Sequence, residues 1–133
     1  MAGTESQDEI RKVIDEGIQA LNAGDAVRLG TKLSARPDAV HIGTAAEEWE
    51  TSKQVLDAMA ALSGGDDIQA VADDIGIHVQ GDIAWAEGRG RFTRADGAER
   101  PVRMTYVLIR EDGRWKLVQS HASIGVPNSE IFG

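Results

Sequence analysis

The segment Arg114 to Ser123 carries the side chains best suited to acid–base chemistry. It alternates as a strand does. Strict alternation places His121 and Ser123 on one face with Trp115, Leu117 and Gln119. The other face would hold Lys116, Val118, Ser120, Ala122 and Ile124, if no bulge intervenes. An imidazole on a pocket wall can take or give a proton near neutral pH. It can equally be a satisfied hydrogen-bonding group in the lining of a cavity.

Other candidates are scattered. His41 lies in a short strand candidate, Ala39 to Gly43, on the opposite face from Val40 and Ile42. His78 faces away from Ile77 and Val79 in a longer strand and reads as exposed or interfacial. These histidines have neither helical spacing nor an HExxH pattern, so no metal site is expected. Asp73 and Asp74 adjoin a strand start, and only one of two neighbours can face inward. A carboxylate in an apolar pocket becomes a base with a raised pKa, but two solvated carboxylates are the simpler reading. Glu87 and Arg89 share a face with Trp85 and read as a cross-strand ion pair on an outer or dimer-forming face. Tyr106 shares a face with Met104 and Leu108, and its hydroxyl needs a partner if buried. Trp49, in the loop Thr44 to Glu50, is expected to tuck over the mouth of the core.

Several chemistries are disfavoured. Gly88-Arg89-Gly90 lies inside a strand with no helix after it, so it does not cradle phosphate. There is no GxSxG, and Ser123 lacks the strand-to-helix context of a nucleophile elbow. Arg89, Arg91, Arg94, Arg100 and Arg103 crowd one hairpin, but Glu87, Asp96 and Glu99 among them make it a charge-laced surface. No cofactor is expected.

The elements that must position these residues follow from periodicity. Ile10, Val13, Ile14, Gly17, Ile18 and Leu21 form one stripe of an amphipathic helix, after a polar start at residues 1–6 that is expected to fray. Gly24 suits its left-handed cap, and Asp25 can cap a second helix buried through Ala26, Leu29, Gly30 and Leu33. Thr51 and Gln54 have capping-box spacing ahead of Val55, Leu56, Met59 and Leu62, and Ser63-Gly64-Gly65 stops that third helix. Four long strands follow, at about 67–79, 83–93, 100–110 and 114–124, joined by tight turns. Three helices and then an antiparallel meander give an α+β domain. Strands this long twist strongly, and space left between sheet and helices would be a ligand pocket.

Composition bounds the partners. A chain of 133 residues fits one domain, 1–133. Its formal charge of -8 argues against nucleic acid and anionic lipid. The absence of cysteine removes disulfides and thiolate catalysis. No stretch of eighteen apolar residues marks a membrane span, and the acidic N-terminus does not read as a secretory signal, so the expected location is cytoplasmic.

The order of elements resembles the NTF2-like superfamily, which includes ketosteroid isomerase and the SnoaL-like polyketide cyclases. It looks most like the small SnoaL-like proteins, over residues 7–125. The pieces that carry the likeness are Ala20-Leu-Asn-Ala-Gly-Asp25, Val40-His-Ile-Gly-Thr44, Glu48-Trp49, Gly81-Asp-Ile-Ala-Trp85 and Gly113 to Ser123. The resemblance implies a cone-shaped α+β barrel, with three N-terminal helices against a strongly curved, mostly antiparallel sheet. It implies an internal cavity and a homodimer packed through the sheets. By analogy His41, Trp49, Tyr106, His121 and Ser123 would line the cavity. The steroid isomerase mechanism fits poorly, because the first helix offers no tyrosine. Three functions stay open: a domain binding a small apolar or polyketide-like ligand, an isomerase or cyclase using His121 as acid/base, and a homodimeric interaction module with a vestigial cavity.

Overall fold

The computed structural model describes residues 2–61 and 67–133, with side chains from residue 5 onward. Leu62 and the expected helix stop at Ser63 to Gly65 lie outside the described residues.

Helix α1 (Ala2–Ala23) begins five residues earlier than the polar start suggested. It buries Ile10, Ile14, Gly17 and Ala20, while Leu21, expected in the stripe, is half exposed. Gly24 takes φ 66° and turns the chain out of the helix. The Asp25 carboxylate then accepts from the Arg28 N–H at 3.0 Å, starting α2 (Ala26–Gly30). The capping box opens α3 (Ser52–Ala61): Thr51 N–H donates to Gln54 Oε1 at 2.9 Å, and Gln54 N–H to Thr51 Oγ1 at 3.2 Å.

The strands are β1 (Val40–Ile42), β2 (Trp49–Glu50), β3 (Ile68–Gln80), β4 (Ile83–Arg94), β5 (Glu99–Glu111) and β6 (Arg114–Ser123). They form one sheet in the order β2-β1-β6-β5-β4-β3. The long meander is antiparallel as expected, and β1 adds to it in parallel beside β6. The segment around Trp49 is a short strand pairing with β1, not a loop. Asp112 and Gly113 both have positive φ, which two-residue hairpin turns require. The sheet curls around the helices without closing into a complete barrel, since β2 and β3 remain as edges.

The inner face carries the core. Ile75, Ile77, Ala84, Ala86, Val102, Met104, Leu108, Trp115 and Leu117 are all buried, and all but Val102 and Met104 join one cluster with Ile10 and Ile14 of α1. Burying such side chains contributes about 25 cal/mol per Å² of apolar surface. The sheet is thin along β4, where Ala84, Ala86, Gly88 and Gly90 take the inward positions.

No helix among the described residues is long and apolar enough to cross a membrane.

Candidate functional site

The site follows from one irregularity in β6. Val107 pairs with Gln119 but its neighbour Leu108 pairs with Leu117, so Val118 is an extra residue, a β-bulge. One extra residue exchanges the faces of everything after it. Trp115 and Leu117 face inward and are buried, yet beyond the bulge it is Ser120 and Ala122 that face inward. His121 turns outward and is exposed, opposite the exposed Thr105. Ser123 turns outward with it, opposite Arg103. The shared face of Trp115, Leu117, His121 and Ser123 expected from alternation does not exist.

The inward positions carry other polar groups. Reading across the sheet, Ile77 pairs with Ala86, Ala86 with Tyr106, Tyr106 with Ser120, and Ser120 with His41. His41 is 7% exposed. Its Nδ1 lies 2.8 Å from Ser120 Oγ and its Nε2 lies 2.9 Å from Ser52 Oγ, at the start of α3. A neutral imidazole has one N–H and one lone pair, so one hydroxyl donates into the ring and the other accepts from it. Burial depresses the His41 pKa and keeps the ring neutral.

Tyr106 is the other polar group on this row. Its hydroxyl donates to Met104 Sδ at 3.3 Å, a weak acceptor. Burial, with a smaller contribution from the Asp15 charge, pushes the phenol up to about 12. Across from Met104 stands Gly88, and a Cβ there would sit 3.6 Å from Met104 Cε. The Met104 side chain therefore fills the room that the glycines of β4 leave.

The remaining candidates lie elsewhere. Trp49 is 69% exposed and does not cover the core, because its strand alternation pairs it with Ile42 on the outer face. Asp73 and Asp74 are both exposed, and a register shift between Ala72 and Asp74 turns neither one inward. Asp73 instead meets Arg91 at 3.1 Å. Glu87 pairs with His78 at 2.9 Å rather than with Arg89, and His78 stacks on Trp85 with ring centroids 5.6 Å apart. Sequence reasoning passed over Ser52 and Ser120. The signal for Ser52 was its place directly after the Thr51 cap, and for Ser120 there was none without the bulge. Two surface clefts beside α1, one reaching Arg11, Asp15 and Arg28 and the other Glu9, Lys32 and Lys116, include neither His41 nor Tyr106.

The model of the SnoaL-like domain matches residues 10–127 of this sequence. The chain belongs to the SnoaL-like domain family. No curated protein sequence matches it. Solved structures similar to this SnoaL-like chain include an NTF2-like protein of unknown function from Pseudomonas putida KT2440, at 20% identity and a TM-score of 0.77, covering 94% of this chain and 90% of that one. A candidate dehydratase of the NTF2-like family from Streptomyces avermitilis is similar at 19% identity and a TM-score of 0.74, covering 90% and 96%. The association domain of C. elegans CaMKII is similar at 15% identity and a TM-score of 0.75, covering 92% and 98%. At these identities the likeness is one of fold, the NTF2-like fold expected from the order of elements.

Proposed function

We propose that this SnoaL-like domain binds a small, largely apolar molecule between the inner sheet face and the helices, with Tyr106 donating to a ligand oxygen. The observation that carries this reading is the Tyr106 hydroxyl, inward-facing and held only by a thioether. A carbonyl or carboxylate oxygen is a far better acceptor than Met104 Sδ. Methionine is also the side chain most easily moved aside, having three flexible bonds. A ligand would displace Met104 from over Gly88 and take its hydrogen bond. The surroundings, Ala86, Val102 and Leu108, suit an apolar ring system.

Binding is favoured over acid–base catalysis. His121, the residue first suited to that role, faces outward. His41 faces inward, but both of its nitrogens already hold seryl hydroxyls. Neither is free to take a proton from a substrate without first giving up a partner.

An aromatic ketone, 2-acetylnaphthalene, tests the reading through quenching of tryptophan fluorescence. Saturable binding is expected, weakened about 5- to 10-fold by Tyr106→Phe for the loss of one buried hydrogen bond. Equal binding by the two proteins would sink it.

A second reading concerns assembly, and a specific observation favours it. The outer sheet face exposes Trp85 at 44% and Ile83 at 45%, beside the partly buried Val107 and Ile109. An exposed apolar patch of this kind marks an interaction surface. We read it as the contact through which two copies of the chain associate. Light scattering after size exclusion tests this: Trp85→Ala should shift a dimer toward monomer.

A further inference from the structure

Strand β6 begins as an edge. Strand β1 joins it only from Gln119 onward, and before that an isolated bridge ties Leu33 to Leu117. There the Leu117 N–H donates to the Lys32 carbonyl at 2.8 Å, and the Leu117 carbonyl accepts from the Ser34 N–H at 2.8 Å. Backbone direction repeats every two residues in a strand, so the Trp115 N–H turns to this same edge. Between the edge, α1 and the end of α2 lies a cleft of about 340 Å³. Trp115 lines it, with Glu9 and Val13 from α1 and with Lys32, Arg114 and Lys116 completing the wall.

One donor at this cleft is unsatisfied. Trp115 is 3% exposed, and its indole Nε1–H is buried with no hydrogen-bond partner. Among the described residues it is the sole buried side-chain nitrogen or oxygen in that state. Buried donors are nearly always paired, because an unpaired one has lost its bond to water and gained nothing. The Arg110 guanidinium lies over the same ring, 4.8 Å from its centroid. A cation on the ring face polarises the indole and strengthens its N–H as a donor.

The charges around the cleft favour an anion. Alternation turns Arg114 and Lys116 to the outer face, but long side chains at a free edge can reach round it. Lys116 does so, its ammonium donating to the Thr31 carbonyl. Lys32 is neutralised by Glu16 at 2.8 Å. Among the described residues neither Arg114 nor Lys116 has a carboxylate within 4.0 Å, although Glu111 is the register partner of Arg114. Glu9 offsets one of these two cations, which leaves one positive charge in the cleft wall for a ligand to balance.

We propose that this cleft binds a small carboxylate, whose oxygen accepts from the Trp115 Nε1–H while Arg114 and Lys116 balance its charge. The site is separate from the pocket proposed at Tyr106, which does not line this cleft. A carboxylate offers two oxygens with about four lone-pair sites, so it can accept from the indole and from a guanidinium fork together. A phosphate dianion would bring a second charge that the wall does not balance. Val13 and the apolar rim of Trp115 suit a flat apolar body behind the carboxylate.

Benzoate is the probe, read on the intact chain by nitrogen–proton NMR of the indoles. Of the three tryptophans, Trp49 and Trp85 are exposed, so Trp49→Phe and Trp85→Phe identify the Trp115 signal by elimination. Benzoate should move that signal downfield saturably. Arg114→Gln, at an exposed position, should weaken binding about 10-fold for the loss of a charge-assisted bond, and Tyr106→Phe should leave it unchanged. Benzamide, the neutral counterpart, and inorganic phosphate should each move the signal far less. A Trp115 signal unmoved by about 50 mM benzoate would overturn the proposal. So would a shift indifferent to Arg114→Gln, or one that benzamide matches. An equal shift with phosphate would overturn the assignment to a carboxylate. A shift lost in Tyr106→Phe would put benzoate in the other pocket and leave this cleft without its ligand.

Discussion

His41 Nε2 lies 2.9 Å from Ser52 Oγ, so a buried imidazole in β1 is joined to the first turn of α3. The same ring reaches Ser120 Oγ in β6 at 2.8 Å. Three elements distant in sequence thus meet at one neutral side chain. Strand β1 is only three residues long and makes few backbone hydrogen bonds of its own. His41 supplies part of what holds it against the rest of the sheet.

Removing that ring should be costly. His41→Ala leaves the buried Ser52 hydroxyl and the half-buried Ser120 hydroxyl without their partner and opens a cavity, and should destabilise the fold by about 2–4 kcal/mol. Ser52→Ala removes one bond and should cost about 1–2 kcal/mol. Urea unfolding measures both. A change under about 0.5 kcal/mol for His41→Ala would show that the chain of hydrogen bonds contributes nothing net.

Burial of His41 also makes stability depend on pH. Its folded pKa lies below the ordinary value of 6.5, so the unfolded chain binds more protons near that pH. Stability is then complete above about 6.5 and declines as pH falls toward the folded value. His41→Gln should flatten this decline below about pH 6.5. Parallel pH profiles for variant and wild type would exclude His41 as its source.

His121, by contrast, should tolerate replacement. Its side chain is outward and exposed, so His121→Ala should stay within about 0.5 kcal/mol of wild type. Deleting Val118 would remove the bulge yet leave Gln119 opposite Val107 and Ser120 opposite Tyr106, so Ser120 would stay inward beside His41 and His121 outward. That deletion should therefore cost far less than a true register slip, which would turn every later side chain to the other face, and urea unfolding measures it. If His121→Ala proved as damaging as His41→Ala, the placement of the bulge would be wrong.

The two histidines show what the sequence could and could not convey. The alternation of Val40, His41 and Ile42 was enough to put His41 on its own face, and the structure makes that face the inner one. The same rule failed for His121, because nothing in Leu117-Val-Gln-Ser-His121 announces that Val118 is an extra residue. A bulge is a property of the pairing with β5, and a single strand cannot display it. Trp49 failed for a related reason. Two residues make too short a strand to recognise, and their pairing with β1 is a tertiary choice. Helices, turns and the meander were legible because each is encoded locally, by a capping box, a stripe or a glycine with positive φ.

Gly90 marks the second bulge. It pairs with Ala72 just before the register shift, and an added Cβ would collide with the Val71 carbonyl. Backbone cannot yield as a flexible side chain does, so Gly90→Ala should destabilise by about 1–3 kcal/mol. The matching change at Gly88 meets side chains of Ile75 and Met104 at 3.4 and 3.6 Å, besides the Asp74 carbonyl at 3.4 Å, and should cost less. Thermal unfolding of the two variants ranks them, and the reverse order would contradict the close approach at Gly90.

Tyr106 offers the most direct check on the inner face. It is the chain's one tyrosine, so absorbance near 295 nm reports its ionisation alone. Desolvation places that ionisation at about 12, above the ordinary value of 10. A folded pKa above the unfolded one means that stability is complete below about 10 and falls as pH rises toward 12. Titration followed with circular dichroism should therefore show phenolate appearing late, alongside or after loss of structure. A pKa near 10 in the folded chain would place the hydroxyl in water and remove the basis for a buried ligand contact. Tyr106→Phe completes the argument. The hydroxyl holds only Met104 Sδ at 3.3 Å, so its removal should cost under about 1 kcal/mol. A group that costs so little to remove from the empty protein is one whose hydrogen bond is still available to a ligand. Strong destabilisation by Tyr106→Phe would mean instead that the hydroxyl is committed to the fold.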